Sequence, residues 1–320
     1  MSSLEGVHPN SAFLQSGPLA GKLQFAWDST SIGALKTCPR KYYYSIVLGY
    51  EPRQRSVHLT FGILYHGAME QYDHARARGE DHETALNIAV KWCLVNTWSD
   101  GKPWVSEDAN KNRYTLLRSV VWYLDQYEND ALETVILENG KPAVELSFRF
   151  ETTYKCPTGE PYLLSGHLDK LAKLGDQIYV VDHKTSKHQL DPRFFQGFSP
   201  GNQFTLYTLA ARVVYKTQAS GVICNGAQIA VTFSRFQRGP IERSPFQLDE
   251  WYYDLGLLLK SAELYATLNH WPLNEMSCGN YGGCEFREVC SKKSQKARED
   301  WLATSFVRRT WDPLVARGDI

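Results

Sequence analysis

The sequence has no excess of either charge. Its 35 Lys and Arg offset 35 Asp and Glu over 320 residues, for a formal net charge of zero. A uniformly basic field that gathers polyanions is thereby excluded, and any contact with nucleic acid has to come from local basic patches. No stretch holds eighteen continuous apolar residues, so no membrane-spanning helix is expected. The opening MSSLEGVHPN has no basic start followed by an apolar core, so no secretory signal is expected. Seven cysteines are an odd number in a long chain. That argues against a secreted disulfide framework and for a reducing, cytoplasmic or otherwise intracellular setting. No internal repeat or low-complexity tract stands out. What remains is globular in composition, with 43% hydrophobic and 22% charged residues. The length allows one large domain or two small ones, and burial of about three quarters of the extended surface.

Periodicity divides the chain. Residues 1–28 are rich in Ser, Gly and Pro and are expected to be a flexible lead-in. A helical section over 29–140 follows, with helices expected over 29–37, 56–77, 81–98 and 106–129, most of them with Asp or Ser at the start. From residue 143 the period switches to two. Three consecutive antiparallel strands are expected over 143–152, 162–174 and 177–184. A loop over 191–200 leads to a helix over 201–215. Further strands are expected over 222–233 and 241–246, with a turn near Arg238-Gly239-Pro240. A long helix over 249–269 begins at Asp249 as cap. The segment 141–270 is thus a candidate catalytic core, and 271–320 a tail that packs back on the N-terminal section.

The most informative stretch is YLLSGHLDKLAKLGDQIYVVDHKTSK, residues 162–187. Side chains two apart on a strand share a face, so Asp182 and Lys184 project together and His183 points the other way. With Asp169 on the neighbouring strand, two carboxylates and an ammonium converge. Such a set suits Mg²⁺ or Mn²⁺, which bind through one or two carboxylates plus water and phosphate. A surface hairpin with an ordinary salt bridge has the same spacing. On the helix over 56–77, His66 and Glu70 are four apart and share a face. The run RKYYYSIVLGYEPRQR interleaves Arg40 and Lys41 with tyrosines. That mixture suits single-strand contacts, where rings stack bases and cations meet phosphates, and it equally suits an amphipathic helix with core tyrosines.

The tail carries Cys278, Cys284 and Cys290, each separated by five residues. Three cysteines so close in a glycine-containing loop suggest a soft-metal site, although the short Cys-x-x-Cys knuckle usual for zinc is missing. Cys38 is the best candidate for a fourth thiol. A four-cysteine iron–sulfur cluster fits, and zinc stays open.

Taken together these parts resemble the PD-(D/E)xK nuclease superfamily, and within it the RecB-like branch with an iron–sulfur cluster. That branch includes CRISPR-adaptation exonucleases, the AddB nuclease domain and phage-encoded exonucleases. The resemblance runs from about Ser29 to Cys290. It is carried by Cys38-Pro-Arg-Lys-Tyr, Gly62-x-x-x-His66, Gly166-His-Leu-Asp169, Val181-Asp182-His-Lys184-Thr185, Gln203-x-x-x-Tyr207 and the three tail cysteines, in the family's order. Two features depart from the CRISPR-adaptation members: the wider gap between Cys278 and Cys284, and the enlarged helical section over 80–130. Both point to a phage-type or stand-alone exonuclease of DNA recombination or repair.

The resemblance implies an α/β fold with a restriction-endonuclease-like αβββαβ core and a mixed central sheet. It implies a DNA exonuclease acting on single strands or ends. His66, Asp169, Asp182 and the His183 backbone carbonyl would bind Mg²⁺ or Mn²⁺, and Lys184 would position the attacking water. Gln203 and Tyr207 would brace the site. Cys38, Cys278, Cys284 and Cys290 would hold a structural 4Fe–4S cluster. Arg40, Lys41 and Lys187 are candidate phosphate contacts, and Glu145 a further candidate acid. The alternatives are a catalytically silent DNA-binding or recombination accessory protein, and a zinc-stapled nuclease.

Overall fold

The computed structural model describes residues 11–99 and 101–315. In chain order the main elements are β1 (Ala26–Trp27), α1 (Ser29–Thr37), α2 (Val57–Ala77), α3 (His82–Asn96), α4 (Arg113–Gln126), β2 (Val144–Lys155), β3 (Pro161–Leu174), β4 (Gln177–Ser186), α5 (Asn202–Val213), β5 (Ala219–Ile229), β6 (Ser234–Glu242), α6 (Pro245–Leu268) and α7 (Gln295–Ser305). The chain divides into two compact units. One comprises residues 1–54, 149–166 and 246–320; the other comprises 55–148 and 167–245. The division cuts through both the helical section and the strand-rich core expected from sequence. The reason is strand length: β2 and β3, of 12 and 14 residues, each give one half to each unit.

The second unit has an α/β build. β3 pairs antiparallel with β4 (Lys170 opposite Val181), β4 pairs parallel with β5 (Asp182 opposite Cys224), and β5 pairs antiparallel with β6. β2 also pairs with β3. A parallel pair cannot be joined by a hairpin, and here α5 is the crossover between β4 and β5. Helix starts follow side-chain chemistry. Asp81 caps α3 by accepting from the Thr84 amide at 2.7 Å, and Asn112 with Thr115 forms a capping box on α4. Phe61, Tyr65, Met69 and Tyr72 of α2 pack with Ala85, Ala89 and Cys93 of α3, Leu116 and Val120 of α4, and Ala227 and Ile229 of β5. Burying an aromatic or aliphatic side chain of this size contributes about 1.5–3 kcal/mol, so this apolar layer fixes the helices on the sheet.

The first unit joins the N-terminal residues to the cysteine-bearing tail. Ala26 and Trp27 pair in parallel with Leu163 and Leu164 of β3. Asp28 caps α1 and its Oδ1 also accepts from the Trp311 indole at 3.3 Å. Trp27 stacks on Tyr42 at 5.4 Å, and Tyr42 meets Trp271 at 5.1 Å. A small core of Tyr44, Phe286, Val289, Leu302 and Phe306 lies against Cys284 and Cys290. The lead-in expected to be flexible is packed over residues 11–28. Phe13, Leu14, Leu23 and Trp27 are buried, and the Leu14 amide bonds the Leu23 carbonyl. Apolar residues spaced among Ser and Gly were enough to anchor it. Residues 1–10 lie outside the described residues.

Other boundaries differ for identifiable reasons. The helix expected over 81–98 ends at Asn96, because Trp98 enters a two-residue strand pair with Pro103. The one expected over 106–129 starts only at Arg113, because Asp108 turns residues 106–112 into a loop by accepting from two downstream amides. The loop expected over 191–200 contains the short helix Pro192–Gln196, capped by Asp191. Arg238-Gly239-Pro240 is no turn but runs within β6. That strand lies at the end of the sheet order, where a proline's missing donor is tolerated. Asp249 lies inside α6, which begins at Pro245.

Gly67 sits where α2 and α3 approach most closely. A Cβ there would stand 2.2 Å from the Trp92 ring. Gly67→Ala is expected to destabilise the protein by about 1–3 kcal/mol through overpacking, despite alanine's better helix propensity. Urea unfolding checks this, and a gain in stability would show that Trp92 moves aside freely.

Candidate active site

The second unit brings four of the residues singled out from sequence into one cluster. Asp169 comes from β3, Asp182 and Lys184 from β4, and His66 from α2. His66 Nδ1 is 3.0 Å from Asp169 Oδ2, and the same oxygen accepts the His183 amide at 3.0 Å. Lys184 Nζ stands 2.5 Å from Asp182 Oδ2. The Lys184 ammonium is the charge that faces the buried Asp182 Oδ2. The strand alternation expected from sequence is observed. Lys184 lies 5.6 Å from the Phe204 ring of α5, whereas His183 points to the rings of Tyr65, His66 and Tyr123.

The two carboxylates are driven apart in acidity. Burial raises both, but the charge and hydrogen bond of His66 dominate at Asp169 and hold it well below the usual carboxylate range. At Asp182 burial prevails, the charge of Asp169 adds to it, and Lys184 only partly opposes, so its acidity is pushed up. His66 is raised because Asp169 outweighs the burial that would lower it. Lys184 is raised for the corresponding reason, with Asp182 as partner. His183, buried with no carboxylate bonded to its ring, is held well below an ordinary imidazole. Surroundings that push two neighbouring carboxylates apart in acidity are the kind that acid–base sites use.

The remaining sequence candidates are distributed as follows. Gln203 donates to the Tyr207 hydroxyl at 3.0 Å, and Tyr207 packs edge-on against Phe148 of β2. Lys187 is exposed just past the end of β4. Glu145 lines a separate hollow with His74, Arg78 and Lys141, none of which belongs to the cluster. Arg40 and Lys41 lie in the first unit and are engaged there, Arg40 with the Trp271 carbonyl at 3.2 Å and Lys41 with Glu285 at 3.2 Å. Phe204 under Lys184 carried no sequence signal, because nothing marks which aromatic of an apolar helix will meet a cation.

All four cysteines of the expected cluster lie in the first unit as free thiols. The Asn274 amide points to Cys38 Sγ at 3.4 Å, and the Cys284 amide bonds the Cys278 carbonyl at 3.0 Å. Burial raises the Cys290 thiol, Arg40 opposes, and nearby Cys284 and Cys38 add to the rise. Cys284 is likewise raised, by burial first, with Cys278 contributing. Among the described residues no three His, Cys, Asp or Glu side chains form a ready-made metal-holding group. By residue type alone, a carboxylate pair is the donor chemistry a hard divalent ion takes, and a set of four thiols is the chemistry a soft metal or iron–sulfur cluster takes.

Asp169→Asn removes the anion facing His66. In metal-free solution His66 is expected to hold its proton to higher pH than an ordinary imidazole, and the variant's midpoint to fall, since burial is then opposed chiefly by Asp182 alone. NMR titration of the imidazole signals tests this; an unchanged midpoint would show that the pair does not exist in solution.

Comparison with known proteins bears on the whole arrangement. The sequence profile of the PD-(D/E)XK nuclease superfamily matches residues 29–291. No curated protein matches in sequence. Among solved structures, a candidate exonuclease from Eubacterium rectale is 12% identical, with a TM-score of 0.47, over 92% of this chain and 94% of that one. The protein SSO0001 is 13% identical, with a TM-score of 0.30, over 75% of this chain and 99% of that one. No helix is long and apolar enough to cross a membrane among the described residues. With the profile covering most of the chain, and the acid-x-lysine strand paired to an aspartate strand, the chain belongs to the PD-(D/E)XK nuclease superfamily.

Proposed function

We propose that the protein is a Mg²⁺- or Mn²⁺-dependent DNA exonuclease of the RecB-like branch, acting on single strands or DNA ends. The observation that carries this reading is the cluster of half-buried Asp169, Lys184 and His66 around the buried Asp182, whose Oδ2 meets the Lys184 ammonium. Asp169, Asp182, His66 and the His183 carbonyl would hold the ion. When bound, it supplies charge stabilisation at a phosphoryl oxygen and a more acidic water. Asp169 holds His66 in place through its charge and hydrogen bond, and its other work is to stay ionised. Lys184 keeps its proton beside Asp182. It can hand that positive charge to a phosphoryl oxygen or orient the incoming water. Phe204 limits where the ammonium can go. Gln203 and Tyr207 brace α5 next to the strand, fixing the wall behind Lys184.

The four cysteines we assign to a structural 4Fe–4S cluster. It would tie Cys38 to the 278–290 segment across a loop long enough for the tie to restrict the unfolded chain strongly. The aromatic packing of Tyr44, Phe286 and Phe306 against Cys284 and Cys290 would shield its sulfurs.

Two measurements test these assignments. Purified protein incubated with end-labelled single-stranded DNA and Mn²⁺ is expected to shorten the strand. Asp182→Ala should abolish the activity, and Lys184→Ala should slow it by roughly 10²-fold or more. Intact DNA with the wild type under varied metals would leave the DNA-binding reading in place of the nuclease. For the cluster, protein prepared without oxygen should be brown, with broad visible absorption and bound iron and sulfide. A colourless, zinc-loaded protein would replace the cluster with a zinc staple.

A further inference from the structure

One buried lysine of the second unit has no carboxylate partner among the described residues. Lys111, in the loop before α4, is 4% exposed. Its Nζ donates to Thr185 Oγ1 at 3.0 Å and sits 5.3 Å from the Phe61 ring centre. No carboxylate stands within ion-pairing distance of it among the described residues. The other deeply set lysines differ. Lys170 meets Asp73 at 2.8 Å, and Lys184 meets Asp182 at 2.5 Å. The nearest acid to Lys111 is Asp108, and its Oδ1 is committed to the loop, accepting from the Asn110 and Lys111 amides at 2.8 and 2.9 Å. Burial pulls the Lys111 ammonium down to about 8; Asp108 opposes this and Lys187 adds to it.

Two more bases act on the same spot. His58, exposed at the start of α2, is lowered by its partial burial and then by Lys111 and Lys187, with Asp108 opposing. Three bases therefore face one engaged carboxylate beside the last residues of β4. Position matters too. Lys184 and Thr185 are adjacent on the strand and point to opposite faces. Lys184 stands on the α5 side and Lys111 reaches Thr185 from the other, so two ammonium groups flank the end of β4. An ammonium with three donors and no anion, held in a fixed place, is an uncompleted ion pair. A neutral donor would have sufficed to tie the loop to Thr185.

We propose that Lys111, with Lys187 and His58 at its rim, is a second phosphate position for the substrate strand, taking a backbone phosphate near the one being hydrolysed. The inference rests on the reading of Asp169, Asp182 and Lys184 as a nuclease centre. It adds a site on the opposite side of β4 that holds the strand in register. Lys111 is a positioning residue, because the group it contacts is a non-reacting phosphate.

The test measures binding without cleavage. Fluorescence anisotropy of a fluorescein-labelled oligothymidylate is followed in EDTA over a range of salt. Lys111→Met should weaken binding on the order of tenfold and flatten the salt slope by about 0.7, the value for one phosphate of a single strand. Lys111→Arg should restore both, and Lys91→Met, an exposed lysine of α3, should change neither. Lys187→Met, which leaves the buried loop intact, should also flatten the slope, and it serves if Lys111→Met does not fold. Unchanged affinity and slope in the folded Lys111 and Lys187 variants overturn the inference, whatever the melting temperature does. Binding that depends on Lys111 in a wild type that leaves labelled DNA whole with Mg²⁺ or Mn²⁺ supports the phosphate position and removes the nuclease. A wild type that binds no oligonucleotide overturns both.

Discussion

Two carboxylates on neighbouring strands, Asp182 buried and Asp169 half-buried, cannot both be ionised without help. The arrangement of the second unit answers that constraint. Asp169 is compensated by His66 and by the His183 amide, and it stays charged. Asp182 is opposed in its burial chiefly by Lys184, with a smaller contribution from His66, and its acidity stays raised. On the proposed reading, that difference is what a bound divalent cation would offset. The helix α2 has to bring His66 within 3.0 Å of β3, and the parallel pairing of β4 with β5 has to hold Asp182 inside the sheet. The packing of α2, α3 and α4 is what allows the first of these. The crossover α5, which also places Phe204 beside Lys184, accompanies the second.

The same logic sorts the basic residues. A lysine fully matched by a carboxylate, such as Lys170 with Asp73, is a structural element of the fold. Arg40 and Lys41, prominent in sequence because they sit among tyrosines, are likewise matched, by a carbonyl and by Glu285. Lys111 was not prominent at all, and it is the buried lysine that lacks a carboxylate partner among the described residues. Residue type and neighbourhood in sequence do not report that difference. Compensation is a property of three-dimensional surroundings, and it separates cations that hold the protein together from cations left over for a ligand.

Much of the fold was legible because its signals are local. The cap at Asp28, the positive-φ glycine that follows α2, the period-two run from residue 144 and the hairpin at Gly175 each depend on a few adjacent residues. Errors came where a particular contact, near or distant in sequence, overrode the pattern. Pro240 and Gly239 look like a turn, yet they extend an edge strand because nothing on the outer side needs the missing amide. Residues 106–112 look like a helix start, but Asp108 closes a loop on its own amides. Residues 11–28 look like a loose leader, but their few apolar side chains have a core to enter. In the site, Asp169, Asp182 and Lys184 could be named because strand alternation and a short hairpin fix which residues face each other. Glu145 could not be excluded by the same rule, and it lies with His74 and Arg78 instead.

The sequence by itself determined the order of elements, the acid-x-lysine strand, its partner aspartate and the set of cysteines, because covalent spacing and backbone periodicity are carried along the chain. Only the tertiary structure decided which carboxylate would be compensated, which lysine would be left without an anion, and that β2 and β3 would serve two units. Those outcomes depend on burial and on charges many residues apart, whose energies exist only once the chain has folded.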